Sequence, residues 1–138
     1  MRLSTGTMAS LPGEVARPGY ERAAQAVGMV HLGIGAFHRA HQAWYTDRAM
    51  AAGDRDWAIA GVSLRSPEVA EQMNPQDGLY TVTERSAAGW QTRLVGAVRE
   101  VMVATRQREG AVAALAAPGV SIASLTVTEK GYCRAADG

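Results

Sequence analysis

The chemistry-bearing residues of this chain gather in Gly33-Ile34-Gly35-Ala36-Phe37-His38-Arg39-Ala40-His41. An apolar run, Met29-Val30-His31-Leu32, leads in, and an alanine-rich helical pattern leads out. Strand, Gly-x-Gly and helix in that order suit the pyrophosphate of a dinucleotide. The first glycine makes a tight turn, the second lets backbone N–H groups approach the anion, and the helix N-terminus adds partial positive charge. Gly33 and Gly35 are therefore candidate cofactor contacts. His38 stands where the usual third glycine would be, so spacing alone leaves an ordinary strand–helix turn as the alternative. Arg39 could offer a phosphate a forked, charge-assisted contact, or be a solvated arginine. Phe37 either packs or flanks the cofactor.

The elements that must position these residues can be read in order. Residues 1–28, punctuated by Pro12-Gly13 and Pro18-Gly19, read as an irregular or short-helical lead-in arm on the surface. Residues 29–34 alternate but are apolar on both sides, as a strand covered on both faces requires. Residues 36–52 read as a helix closed by Gly53. Its small stripe of Ala36, Ala40, Ala43 and Met50 is interrupted by Asp47, and Arg39, Gln42 and Thr46 define a wetter side. Trp57 to Val62 is a second strand, so residues 29–62 form a βαβ unit of about 30 residues. Ser66-Pro67-Glu68 starts a short helix that ends before Asn74-Pro75. Residues 79–85 and 90–98 form a hairpin with a four-residue connection. Residues 99–104 are ambiguous, a helix falls within 105–117, and 120–127 is a last strand rich in β-branched residues. The expected fold is α/β: a partial Rossmann-like dinucleotide-binding fold over 29–138, with one βαβ unit, a hairpin and a further strand.

Other candidates follow from that frame. An acid at the end of the second strand would bind the ribose hydroxyls of NAD, and a nearby arginine would accommodate the extra phosphate of NADP. The residues there are Ser63-Leu64-Arg65-Ser66, which makes Arg65 a candidate at the adenosine end and leaves NADP open. Asp77 reads as a turn residue or as part of the cofactor groove. Glu129 and Lys130 follow the last strand at the edge where open α/β sheets bind ligands. Glu129 is a candidate proton relay beside the nicotinamide, Lys130 a cofactor contact, and a Glu–Lys surface pair is the alternative. His31 reads as a hydrogen-bonded core histidine. His38 and His41 lack the further ligands a metal site needs, so no metal is expected. Cys133 reads as an inert thiol, and Trp44, Trp57 and Trp90 as packing residues.

The bulk properties narrow the class. The chain has 138 residues, 47% of them hydrophobic and 20% charged, which fits one globular domain. Its net charge of +1, with arginines scattered, gives no electrostatic footprint for nucleic acid or a membrane surface. A single cysteine allows no internal disulfide. No run reaches signal-peptide or transmembrane length, and a cytoplasmic location is the expectation.

Val30 to Ala43, Gly61-Val62-Ser63-Leu64-Arg65-Ser66, Gln76-Asp77-Gly78-Leu79-Tyr80-Thr81 and Thr126 to Cys133 together resemble, in order, the mannitol dehydrogenase family. Its members include polyol dehydrogenases and fructuronate (mannonate) reductases. Val15 to Arg22 is similar too, so the resemblance spans nearly the whole chain. It implies NAD-dependent interconversion of a sugar alcohol or aldonate with its keto sugar, a small-molecule substrate and no catalytic metal; oligomeric state stays open. It accounts for Phe-His-Arg in place of the third glycine and tips Gly33 and Gly35 toward the cofactor. It also implies that the remaining Rossmann strands and a helical catalytic domain, with its lysine, would lie beyond Gly138. Lys130, the sole lysine, is not in that catalytic motif. A truncated, non-catalytic nucleotide-binding remnant or interaction module is the alternative; a continuing frame with a Lys-x-x-x-x-Asn-x-x-His-like stretch would discriminate.

Overall fold

A computed structural model describes residues 2–127. Its centre is a parallel sheet built from β1 (Val27–Leu32), β2 (Ala58–Ser63), β5 (Val98–Val103) and β6 (Ile122–Leu125). The strand order is β5-β2-β1-β6. Met29 to Leu32 of β1 pair with Ile59 to Val62 on one side and Ile122 to Leu125 on the other. A separate antiparallel hairpin, β3 (Tyr80–Ser86) and β4 (Gly89–Val95), inserts before β5. Its connection is shorter than expected, because Ser86 and Gly89 pair directly; Gly89 takes φ 119°, so only Ala87 and Ala88 turn.

Helices cover both faces of the sheet. β1 passes to β2 through α1 (Ala36–Ala40) and α2 (Gln42–Ala52). The single helix expected over 36–52 is broken at His41, whose φ −119° and ψ −86° leave the helical region. α3 (Glu68–Met73) follows β2. Ser66 Oγ accepts the N–H of Glu68 at 3.2 Å, the capping role its residue type suits. α4 (Arg108–Leu115) links β5 to β6.

The strand alternation sorts the core. Ile59, Val98, Val101 and Val103 pack with Ile34, Ala43, Met50, Ala70 and Met73 on the side of α2 and α3. Val30, Ala60, Val62 and Met102 pack with Ala111 of α4 on the other. Leu3, Met8 and Leu11 cover a third cluster of Val15, Leu79 and Leu94. The first segment is thus more than a surface arm: Ala16 exchanges backbone hydrogen bonds with Thr92 and Leu94 of β4, and Arg22 is buried, donating to the carbonyls of Gly96, Asp77 and Val98 at 2.8, 2.7 and 3.1 Å.

Asp47, the interruption in the apolar stripe of α2, is fully buried. Its Oδ1 accepts the Tyr20 hydroxyl at 2.6 Å and the Gly96 N–H at 2.8 Å, and its Oδ2 accepts from Arg93 Nε at 3.3 Å. One carboxylate therefore ties α2 to the first segment, to β4 and to the β4–β5 junction. Thr46, assigned to a wet side, is also buried, its hydroxyl donating to the Gln42 carbonyl at 2.8 Å. Asp47→Ala would strand three donors, one of them charged, and should lower unfolding free energy by about 3 kcal/mol. Urea denaturation measures this; a loss below about 1 kcal/mol would show that the carboxylate does not hold these segments together.

Candidate functional site

The turn after β1 is where sequence and sheet order meet. Gly33 takes φ 88°, a conformation costly for any residue with a Cβ. In it the Gly33 N–H bonds the Val62 carbonyl at 2.8 Å and the Gly35 N–H bonds the Gly33 carbonyl at 2.8 Å. Ile34 folds back over Gly61, where a Cβ would lie 2.3 Å from Ile34 Cδ1, so the bare backbone of β2 seats the turn. Gly35 then caps α1 in extended conformation. The N–H groups of Ala36, Phe37 and His38 have no partner within the helix.

Beside this turn lies a cleft of about 660 Å³ lined by Gly33, Ile34 and Gly35, by Ser63 to Ser66 and Val69, and by Leu125, Thr126 and Val127. These are the residues that follow the carboxyl ends of β1, β2 and β6. Chain order reverses between β1 and β6, so the cleft occupies the switch point at which open α/β sheets take ligands. Gly35 is informative here. Its φ is −98° and a Cβ would meet nothing closer than the Gly33 carbonyl at 3.9 Å, so neither backbone nor packing requires glycine.

The expected site residues divide. Arg65 is exposed on the cleft. Arg39 folds back, its Nε donating to the Gly35 carbonyl at 3.3 Å and its guanidinium 5.9 Å from the Tyr80 ring; the Tyr80 hydroxyl donates to the Arg39 carbonyl at 2.7 Å, pinning α1 from the hairpin. Phe37 is exposed and stacked on His41 at 4.4 Å. The His38 ring turns inward, 2% exposed and stacked on His31 at 3.6 Å; only its backbone N–H remains for an anion. Asp77 does not join the cleft. It occupies a left-handed turn beside the amino end of β5, accepts the Thr5 N–H at 2.8 Å, and lines a different cleft with Arg22 and Arg99. The physical reason is the turn itself: Gly78 abuts the Val98 carbonyl and anchors Asp77 at the sheet's opposite edge. Glu129, Lys130 and Cys133 lie outside the described residues.

His31 is the hydrogen-bonded core histidine expected, and two hydroxyls the sequence reading missed, Ser124 and Thr126, are its partners. His31 Nδ1 is 2.9 Å from Ser124 Oγ and Nε2 is 3.0 Å from Thr126 Oγ1, and Ser124 Oγ donates to Gln42 Oε1 at 3.2 Å. The signal available was their period: Ser124 and Thr126 alternate in step with His31 once β6 lies beside β1. Among the described residues, no group of three or more His, Cys, Asp or Glu is placed to hold a metal ion. No helix there is long and apolar enough to cross a membrane.

Residues 27–136 match the family model of the mannitol dehydrogenase Rossmann domain. The chain belongs to the mannitol dehydrogenase family. A mannitol 2-dehydrogenase of Pyricularia oryzae is 41% identical over 138 residues, covering 95% of this chain and 28% of that protein. The D-mannonate oxidoreductase of Escherichia coli is 42% identical over 123 residues, covering 86% and 25%. The mannitol 2-dehydrogenase of Pseudomonas fluorescens, solved as a ternary complex with NAD and D-mannitol, superposes with a TM-score of 0.90 at 38% identity, covering 96% of this chain and 28% of that one. This chain thus spans about a quarter of the length of such relatives.

Burial and the neighbouring His31 hold His38 down at about pKa 4, and burial lowers His31 as well. As pH falls from 6.5 the unfolded chain takes up these protons first. The stability these two histidines contribute is therefore full above about 6.5 and is lost as pH falls, that of His38 by about pH 4. In His38→Phe the fall between those limits should be smaller by roughly 2–3 kcal/mol, read from denaturation midpoints at several pH values. Equal slopes in both proteins would contradict the buried, neutral His38.

Proposed function

We propose that this chain is the NAD-binding segment of an oxidoreductase that interconverts a sugar alcohol or aldonate with its keto sugar. The observation that carries the reading is Gly35: a glycine with ordinary backbone angles and open space at its Cβ, placed at a helix start beside the switch-point cleft. Support comes from family membership and from relatives named for mannitol and D-mannonate.

Within that reading each residue has a task. The N–H groups that open α1 receive the pyrophosphate over Gly33 and Gly35. Arg65, at the end of β2, meets the adenosine ribose and leaves room for NADP as well as NAD, since no acid stands before Glu68. Arg39 retains terminal guanidinium nitrogens for a phosphate. Glu129 relays a proton near the reacting carbon, and Lys130 contacts the cofactor. A bound nicotinamide supplies hydride exchange with the substrate carbon. The residue that takes the hydroxyl proton belongs to the larger part of the enzyme that follows in its relatives.

Gly35→Val tests the reading because its effects on fold and ligand separate. Its melting temperature should stay within a few degrees of the unaltered chain, while NADH binding, followed by fluorescence titration, should weaken at least roughly tenfold. Unchanged NADH affinity would refute the cofactor role of the turn. Arg65→Ala should weaken NADPH more than NADH; equal affinities before and after substitution would remove Arg65 from the site.

A further inference from the structure

His31 makes two side-chain hydrogen bonds, and their proton count reaches into the cleft. Ser124 has one hydroxyl proton, and it goes to Gln42 Oε1. Toward His31, Ser124 Oγ can then only accept, so Nδ1 carries a hydrogen. The ring is 3% exposed, lies flat against His38, and has no carboxylate among its hydrogen-bond partners, and burial outweighs the Gly33 carbonyl that favours its protonated form. A second proton is unfavourable in such surroundings. Nε2 therefore offers a lone pair, and the Thr126 hydroxyl donates to it. What Thr126 Oγ1 has left is lone pairs alone.

Thr126 lines the cleft just after β6. Arg65 lies at its other side, after β2. When a dinucleotide spans a switch point, the adenosine ribose meets the end of the second strand and the other nucleoside lies across the reversal. We propose that His31, held as the neutral Nδ1–H tautomer by Ser124 and Gln42, fixes Thr126 Oγ1 as a hydrogen-bond acceptor for the nicotinamide riboside half of the cofactor. The inference rests on the reading of the cleft as a NAD site. An oxygen with only lone pairs repels pyrophosphate oxygens and accepts from a carboxamide N–H or a ribose hydroxyl. Thr126 is thereby a positioning residue, favouring the register in which the nicotinamide half reaches β6.

Two measurements on the 138-residue chain test this. Long-range 1H–15N spectra of the histidine rings at pH 7 should show His31 as the Nδ1–H tautomer. An Nε2–H or doubly protonated ring would overturn the proposal. In titrations, Thr126→Val should bind NADH roughly tenfold more weakly, Thr126→Ser should restore affinity to within about twofold, and ADP, which lacks the nicotinamide riboside, should bind all three alike. With 3-acetylpyridine adenine dinucleotide, which has no carboxamide N–H, loss of the Thr126→Val effect assigns the carboxamide as partner, and persistence assigns the ribose. Equal weakening of ADP, or unchanged NADH binding by Thr126→Val, overturns the role of Thr126 alone. Failure of the unaltered chain to bind NADH or ADP overturns the cofactor reading of the cleft, and this inference with it.

Discussion

Parallel pairing of β1 on both of its edges is the constraint from which the rest follows. Met29 to Leu32 hydrogen-bond to β2 and to β6 at once, so the chain leaving β1 must rise from the middle of the sheet. It turns between two strands running the same way, whose following segments diverge. The cleft is the space that divergence leaves. Gly33 permits the turn by its positive φ, and Gly61 permits it by having no side chain beneath Ile34.

A turn in mid-sheet is useful only if the helix beyond it is held still, and polar groups do much of that holding. Asp47 binds α2 to three separate segments. Tyr80 anchors the end of α1 through the Arg39 carbonyl. His38 stacks on His31 under the helix start, and Gln42 reaches Ser124 on β6. The hairpin, which has no strand in the main sheet, therefore bears on the site by bracing α1 and α2. The first segment braces the hairpin in turn through Val15 and Ala16.

Much of this was legible in the sequence because backbone-level signals are local. The Gly-x-Gly turn, the βαβ unit over 29–62 and the Ser66 cap depend on residues a few positions apart. The inward Asp47 was not legible, since it answers partners far along the chain, Tyr20 and Arg93. Asp77 is the turn residue expected, and its distance from the cleft was not legible for a related reason. Its left-handed turn fixes a local shape, but which edge of the sheet that turn meets is set by β5, more than twenty residues on. Ser124 and Thr126 escaped notice because a hydroxyl acquires meaning only when its strand's neighbour is known.

The central claim is that the cleft at the carboxyl ends of β1, β2 and β6 is where a nicotinamide dinucleotide lies. Amide chemical-shift mapping of the 15N-labelled chain during titration with NADH tests it most directly. The account predicts shifts at Gly33 to Arg39, at Ser63 to Arg65 and at Thr126, with Thr5, Ala23, Asp77 and Arg99 unmoved. Shifts centred on that second group, with Gly33 and Gly35 silent, would contradict it.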